Sequence, residues 1–265
     1  MHLDTLLALL ATIAAGTYFQ TVTGFGLGMI VMGATSGFAL APVPVAAAVV
    51  SMVTLVNSAV ALRGKWHLID WRAARAVLLG VLPSILAGVV LLNYLSSSAS
   101  LLLEFLLGGA ITYSGIVFAL RPTQLAQRSP DRSFFVSGLF SGLFGGLFGM
   151  AGPPVIFHFY RQPMELAAVR SMLLLVFAFT SGTRTLFVAS QGELSAPVWL
   201  LTGLSMLLAA FVTLLGRRYP PPVAPATMRR IAFCILLLIG VSLMLSALPA
   251  LLGSGGAGTA LPGRP

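Results

Sequence analysis

A chain of 265 residues that is 58% hydrophobic and 8% charged, with a mean hydropathy of +1.00, is too apolar for a water-soluble domain and reads as an integral membrane protein. Its net charge of +9 comes from arginines and a single lysine clustered between apolar runs, the pattern of orienting loops, so nucleic acid is excluded as a partner and the lipid bilayer takes its place. The apolar runs are long and continuous instead of alternating, which argues for an all-α polytopic bundle over an outer-membrane barrel.

The N-terminus carries Asp4 and no basic n-region, which argues against a cleaved signal peptide. The first apolar run, Leu3 to Ala41, is too long for one span and is interrupted at Thr23-Gly24-Phe25-Gly26-Leu27-Gly28-Met29, so it is expected to form two short helices in a hairpin. Pro44 to Leu62 is a full span. A basic loop from Arg63 to Arg75 follows, with Trp66 and Trp71 as interfacial anchors. Ala76 to Leu95 and Leu101 to Leu120 are two further spans joined at Ser96-Ser97-Ser98, and Arg121 to Arg132 links the halves.

The second half repeats the plan. Phe134 to Tyr160 is broken at Gly142-Leu143-Phe144-Gly145-Gly146-Leu147-Phe148-Gly149-Met150-Ala151-Gly152-Pro153-Pro154, where Pro153 and Pro154 suit the first turn of a new half-helix. Spans follow at Leu166 to Ser190, Ala196 to Leu215 and Ile231 to Leu252, and a glycine-rich tail closes the chain. One offset of 123 residues pairs Phe25-Gly26 with Phe148-Gly149, Asn57 with Thr180, Asp70 with Glu193 and Gly80 with Gly203. The division is therefore a first transmembrane repeat at 1–120, a cytoplasmic linker at 121–133, a second repeat at 134–252 and a flexible tail at 253–265.

If each broken segment returns to its starting side, every basic residue except Arg184 and Arg264 falls on one side; if each crosses, the division is nearly even. The first topology satisfies the positive-inside rule, puts both termini outside and inverts the second repeat relative to the first. Discontinuous helices at membrane depth are tolerated where they line a cavity, and the new helix N-termini favour an anion.

Arg184 lies inside a span, where a charge costs about 2.5–3.5 kcal/mol by insertion scales. It reads either as an anion ligand, with Thr180 one turn earlier, or as a residue snorkelling to the outer headgroups. Asn57, Gln20 and Thr23 read either as substrate contacts or as hydrogen bonds between helices. Arg170 lies toward the cytoplasmic mouth, as a charge that attracts anions or one that sets topology. His158 is a titrating group or an interfacial packing residue, and Glu104, close to a helix end, is a weak proton-carrier candidate. The acids form no buried cluster that would hold sodium, and Cys234, the single cysteine, rules out disulfides and cysteine-based metal sites within one chain. No cofactor or metal is expected.

The paired glycine-rich signatures Thr23 to Met29 and Gly145 to Pro154 resemble those of the TauE/SafE, or sulfite exporter, family, with Ala151 standing where a glycine is usual. The resemblance covers essentially the whole chain, Arg170 and Arg184 included. It implies a permease of the bacterial inner membrane for sulfite, sulfonates or related small anions, and not an enzyme. The expected contacts are Gln20, Thr23, Gly24, Gly26, Gly28, Asn57, Gly149, Gly152, Pro153, Thr180 and Arg184, with His158 and Glu104 as proton or gate candidates. An anion channel, a carboxylate permease and an intramembrane enzyme are the alternatives; scattered His2, His67 and His158 form no catalytic motif supporting the last. Oligomers are compatible with the sequence.

Overall fold

The computed structural model describes residues 3–119, 123–150, 152–192, 196–219 and 237–248, together with positions 227 and 234. The regular elements among them are helical: α1 Leu3–Thr23, α2 Leu27–Gly37, α3 Val43–Leu62, a single turn Trp66–Leu68, α4 Trp71–Ser98, α5 Ser100–Ala119, α6 Asp131–Phe148, α7 Pro153–Tyr160, α8 Leu166–Ser190 and α9 Ala196–Arg218. A last apolar helix covers Leu237–Leu248. Five helices, α1, α3, α4, α8 and α9, are long and apolar enough to cross a membrane, so the chain is a multi-pass membrane protein. Leu120, Arg121, Ala151, Glu193, Arg229, Arg230, Ile231, Arg264 and the tail lie outside the described residues.

The two interruptions are where the glycines put them, but the arms are unequal. The first hairpin is not two short helices. Its first arm, α1, has 21 residues and a length of about 31 Å, whereas α2 has 11 residues and returns about 16 Å. The break comes only after a complete span because Gly24 and Gly26, both at positive φ, follow Thr23. The second hairpin has the same inequality, with 18 residues in α6 and 8 in α7. α6 starts at Asp131 instead of Phe134 because Pro130, extended at φ −66° and ψ 153°, ends the preceding coil and leaves Asp131 as an acidic first-turn residue.

Contacts fix which ends lie together. On α3, Asn57 bonds both Gln20 of α1 and Thr213 of α9. At the foot of α9, Arg217 donates to the carbonyls of Val60 and Arg63, and Tyr18 donates to the carbonyl of Tyr219. So α1, α3 and α9 finish at one end. Both α4 and α6 begin there, since Asp70 caps α4 and shares Arg128 with Asp131, which also holds Arg72. α7 folds back to that end, where the Tyr160 hydroxyl donates to the Thr23 carbonyl and Gln162 accepts from the backbone N–H of Ser129. Every described basic residue except Arg184 gathers there. Trp66 and Trp71 stack in parallel at 6.3 Å and stay about half exposed, as interfacial rings do.

The tightest packing joins α4 to α6. Gly138, Gly142 and Gly146 recur every fourth residue on α6 and face Gly80, Ser84 and Gly88 at the same spacing on α4. A Cβ on Gly80 would overlap the Phe135 carbonyl oxygen, and one on Gly146 the Ile85 carbonyl oxygen. Small residues let the two backbones touch, which drives association where lipid removes the hydrophobic incentive. This stripe went unread in the sequence, although its four-residue spacing is visible there.

Candidate functional site

The two hairpin turns meet inside the bundle, the first starting toward its basic end. Gly26 at φ 104° precedes α2, and Gly149 at φ 67° ends α6; both conformations favour glycine. The turns touch where Gly28 lies so close against Met150 that a Cβ would overlap its side chain. Between them is a cavity of about 10 Å³ lined by Gln20, Gly26, Gly28, Met29, Thr54, Met150, Ile156 and Phe177. That is room for a single water.

Gln20 spans both functions considered for it. Its Nε2 donates to Asn57 Oδ1 at 2.9 Å, and its Oε1 accepts from the Leu27 N–H at 3.3 Å, which caps the first turn of α2 while the side chain still lines the cavity. Asn57 is occupied in joining helices: its Nδ2 donates to Thr21 and Thr213 at 2.8 Å each, and it is fully buried. Thr23 is turned into its own loop, donating to the carbonyls of Phe19 and Phe25. Gly24 packs under the Arg170 stem, and Gly26 under the Phe19 ring.

On the other side of the second turn lies Arg184. It is 2% exposed, so it does not snorkel. Its Nε donates to the Gly146 carbonyl at 3.0 Å and its Nη1 to Ser51 Oγ at 3.3 Å. A cation on the last turn of α6 meets the negative end of that helix. Arg184 is not among the residues lining the cavity; Ser51, one turn before Thr54 on α3, connects the two places. Thr180 packs its methyl on Gly145 and donates its hydroxyl to Val176. Gly149 lies against the Ala47 carbonyl and Ser51, Gly152 lies against Phe144, and Pro153 opens α7 as expected.

Neither His158 nor Glu104 is among the residues that line the cavity between the turns. His158 lies 3.4 Å from Ser133 and edge-on to Phe134, beside an open pocket of about 440 Å³ that Tyr113, Arg132 and Phe157 also line. Glu104 is half-buried in the second turn of α5. Residues missed from the sequence are Met29, Thr54, Met150, Ile156 and Phe177 of the cavity wall and Ser51 beneath Arg184; Met29 and Met150 stand in the glycine-rich stretches themselves, and the others are ordinary helix residues that only the fold brings to the turns.

Comparison with known proteins gives a consistent picture. A family model described as Sulfite exporter TauE/SafE matches residues 8–243. A protein of Cupriavidus necator described as "Probable sulfite/organosulfonate exporter TauE" is 59% identical over 245 residues, covering 92% of this chain and 96% of that protein. No solved structure gives a significant match.

Proposed function

The chain belongs to the sulfite exporter TauE/SafE family of membrane transporters, and on that premise we propose that it exports small sulfur oxyanions, sulfite or organosulfonates, across the bacterial inner membrane. The observation that carries this reading is the meeting of two glycine turns, Gly26–Gly28 and Gly149–Met150, at a small cavity into which Gln20 and Thr54 reach, with buried Arg184 beyond it. In this reading substrate lies between the turns, against Gln20, Thr54 and the backbone at Gly28, and leaves past the Arg184 guanidinium. Glycine at each turn lets backbone N–H groups approach the anion, as discontinuous helices do in other transporters.

Two inverted repeats are part of the proposal. Exchanging α1 for α6 and α4 for α9 turns the α4–α6 pairing into the α1–α9 pairing, while the α3–α8 contact maps onto itself. The α1–α3 contact at Thr21 and Asn57 corresponds to the α6–α8 contact at Gly145 and Thr180. With the basic end in the cytoplasm both termini are periplasmic. Moving one negative charge out of a negative interior then releases about 2.3 kcal/mol per 100 mV, enough to drive export without a coupling ion.

Counterflow in proteoliposomes tests the reading. Vesicles loaded with unlabelled sulfite or methanesulfonate should accumulate labelled methanesulfonate transiently, and the rate should saturate with concentration. Flux that never saturates and shows no counterflow would identify a channel. Counterflow with carboxylates alone would identify a carboxylate permease.

A further inference from the structure

Apart from Arg184, the described cations all lie at the basic end, but they do not share one environment. Arg72 and Arg128 are held by Asp70 and Asp131. Arg170, Arg217 and Lys65 form no ion pair among the described residues, and they converge. The turn Trp66–Leu68 brings the loop carrying Lys65 against α8, the helix that carries Arg170. Arg217 draws the foot of α9 onto the same loop through the carbonyls of Val60 and Arg63. Arg170 lays its stem over Gly24 at the first hairpin turn, and its Nε is buried without a hydrogen-bond partner among the described residues. Half-burial, then Arg217, then Arg170 hold the Lys65 amine below the usual lysine range. Three cations gathered without an acid repel one another, and a buried guanidinium N–H without an acceptor is costly. An oxyanion relieves both, and arginine's planar fork suits it.

We propose that Lys65 and Arg170, with Arg217 positioning the loop and adding its charge, form a second oxyanion site at the basic mouth, directly under the first hairpin turn. The ligand is a small anion with a planar or tetrahedral cluster of oxygens, such as a sulfonate. This site rests on the transport reading for its role, since it collects the anion that the hairpins then pass. An anionic lipid headgroup offers the same oxygens, and the test separates the two sources.

Lys65 is the chain's one lysine, so its acylation reports on the site directly. The purified full-length protein in detergent is treated with an amine-acylating reagent, and modification of the Lys65 peptide is followed by mass spectrometry. Methanesulfonate should slow acylation about tenfold more than chloride at equal ionic strength, the loss expected when one charged hydrogen bond is engaged. Arg170→Gln, with folding verified by gel filtration and melting, should abolish the protection, and Arg217→Gln should reduce it. Equal acylation in the two salts overturns the site. Protection by phosphatidylglycerol nanodiscs with none from methanesulfonate also overturns it, assigning the cations to lipid. Flux separates this proposal from the transport reading. If the parent transports methanesulfonate but Arg170→Gln leaves the half-saturating concentration unchanged, the mouth site falls and export stands. If Lys65 is protected but the parent carries no sulfur oxyanion, the site stands and export falls.

Discussion

The Nε–H of Arg184 donates to the carbonyl oxygen of Gly146 at 3.0 Å, so the one charged side chain buried among the described residues closes on the last turn of α6. That turn ends at Gly149, whose backbone lies against Ala47 and Ser51, and Ser51 accepts the second bond from the same guanidinium. Arg184 therefore fixes the position of the second hairpin turn while keeping its charge at membrane depth, beside the cavity. A hairpin clamp and an anion attractor are compatible in one guanidinium, because its charge is delocalised over the planar group and acts on an anion beyond the carbonyl and hydroxyl it holds.

Replacing that charge separates the two roles. Arg184→Gln keeps polarity and much of the reach, and it is expected to weaken substrate affinity by more than about 1.5 kcal/mol, or more than tenfold in the half-saturating concentration. Arg184→Lys should recover only part, since lysine keeps the charge without the fork. A glutamine variant that melts lower but takes its anion as well as the parent would leave Arg184 as a clamp alone.

The α4–α6 contact sets a second expectation. A Cβ on Gly142 would overlap Ser84 Oγ and crowd the Val81 backbone, so Gly142→Val should force the helices apart and lower both yield and melting temperature. Gly109 on α5 has open space around it, and Gly109→Ala should stabilise by up to about 1 kcal/mol through helix propensity. Melting of the two variants in the same detergent checks both signs at once.

What the sequence made legible follows from this contrast. Gly26, Gly149 and Pro153 announce their local geometry wherever they stand, so the two interruptions were readable; the return of each hairpin to its starting side rests on the charge bias. Arg184 was readable as an anomaly but not as a clamp, because its partners Gly146 and Ser51 are 38 and 133 residues away. Asn57 likewise gave no sign of Thr213 as its partner. The unequal hairpin arms were hidden for another reason: apolar composition measures the length of a run, not how far its second arm returns.

Asn57 gives the third prediction. It joins α1, α3 and α9 through Gln20, Thr21 and Thr213, and Asn57→Leu leaves all three without it. Interhelical bonds of this kind average about 0.6 kcal/mol and reach about 1.7, so the expected loss is about 1 to 3 kcal/mol. Released from Asn57, Gln20 also holds the first turn of α2 less firmly. The transport rate should therefore fall even at temperatures where the variant stays folded, which a stability defect alone would not produce.

Topology supplies the fourth. In a Cys234→Ser background, cysteine placed at Ser129 should react with impermeant reagent only from the cytoplasm, and cysteine at Ser97 only from outside. Pro42, between α2 and α3, decides the matter. If α2 returns to the side where α1 began, Pro42→Cys is labelled from outside; labelling from the cytoplasm would make the first hairpin a crossing and remove the inverted repeat.

The last prediction compares the two turn glycines, which occupy matching places but face different neighbours. At Gly149 an added Cβ would overlap the backbone oxygen of Ala47, and φ is 67°; at Gly26 it would meet the Phe19 ring at 2.7 Å, and φ is 104°. Both alanine variants carry backbone strain of roughly 1–3 kcal/mol. They differ in whether the steric part can be relieved. A ring can be shortened, so Phe19→Leu should restore part of the transport lost in Gly26→Ala. A main-chain oxygen cannot be removed, and Ser51→Ala, which clears only the neighbouring hydroxyl, should restore nothing to Gly149→Ala. Counterflow rates of the four variants, normalised to folded protein, check this. Equal rescue at both turns would mean that the Ala47 backbone moves aside and that the second turn is as compliant as the first.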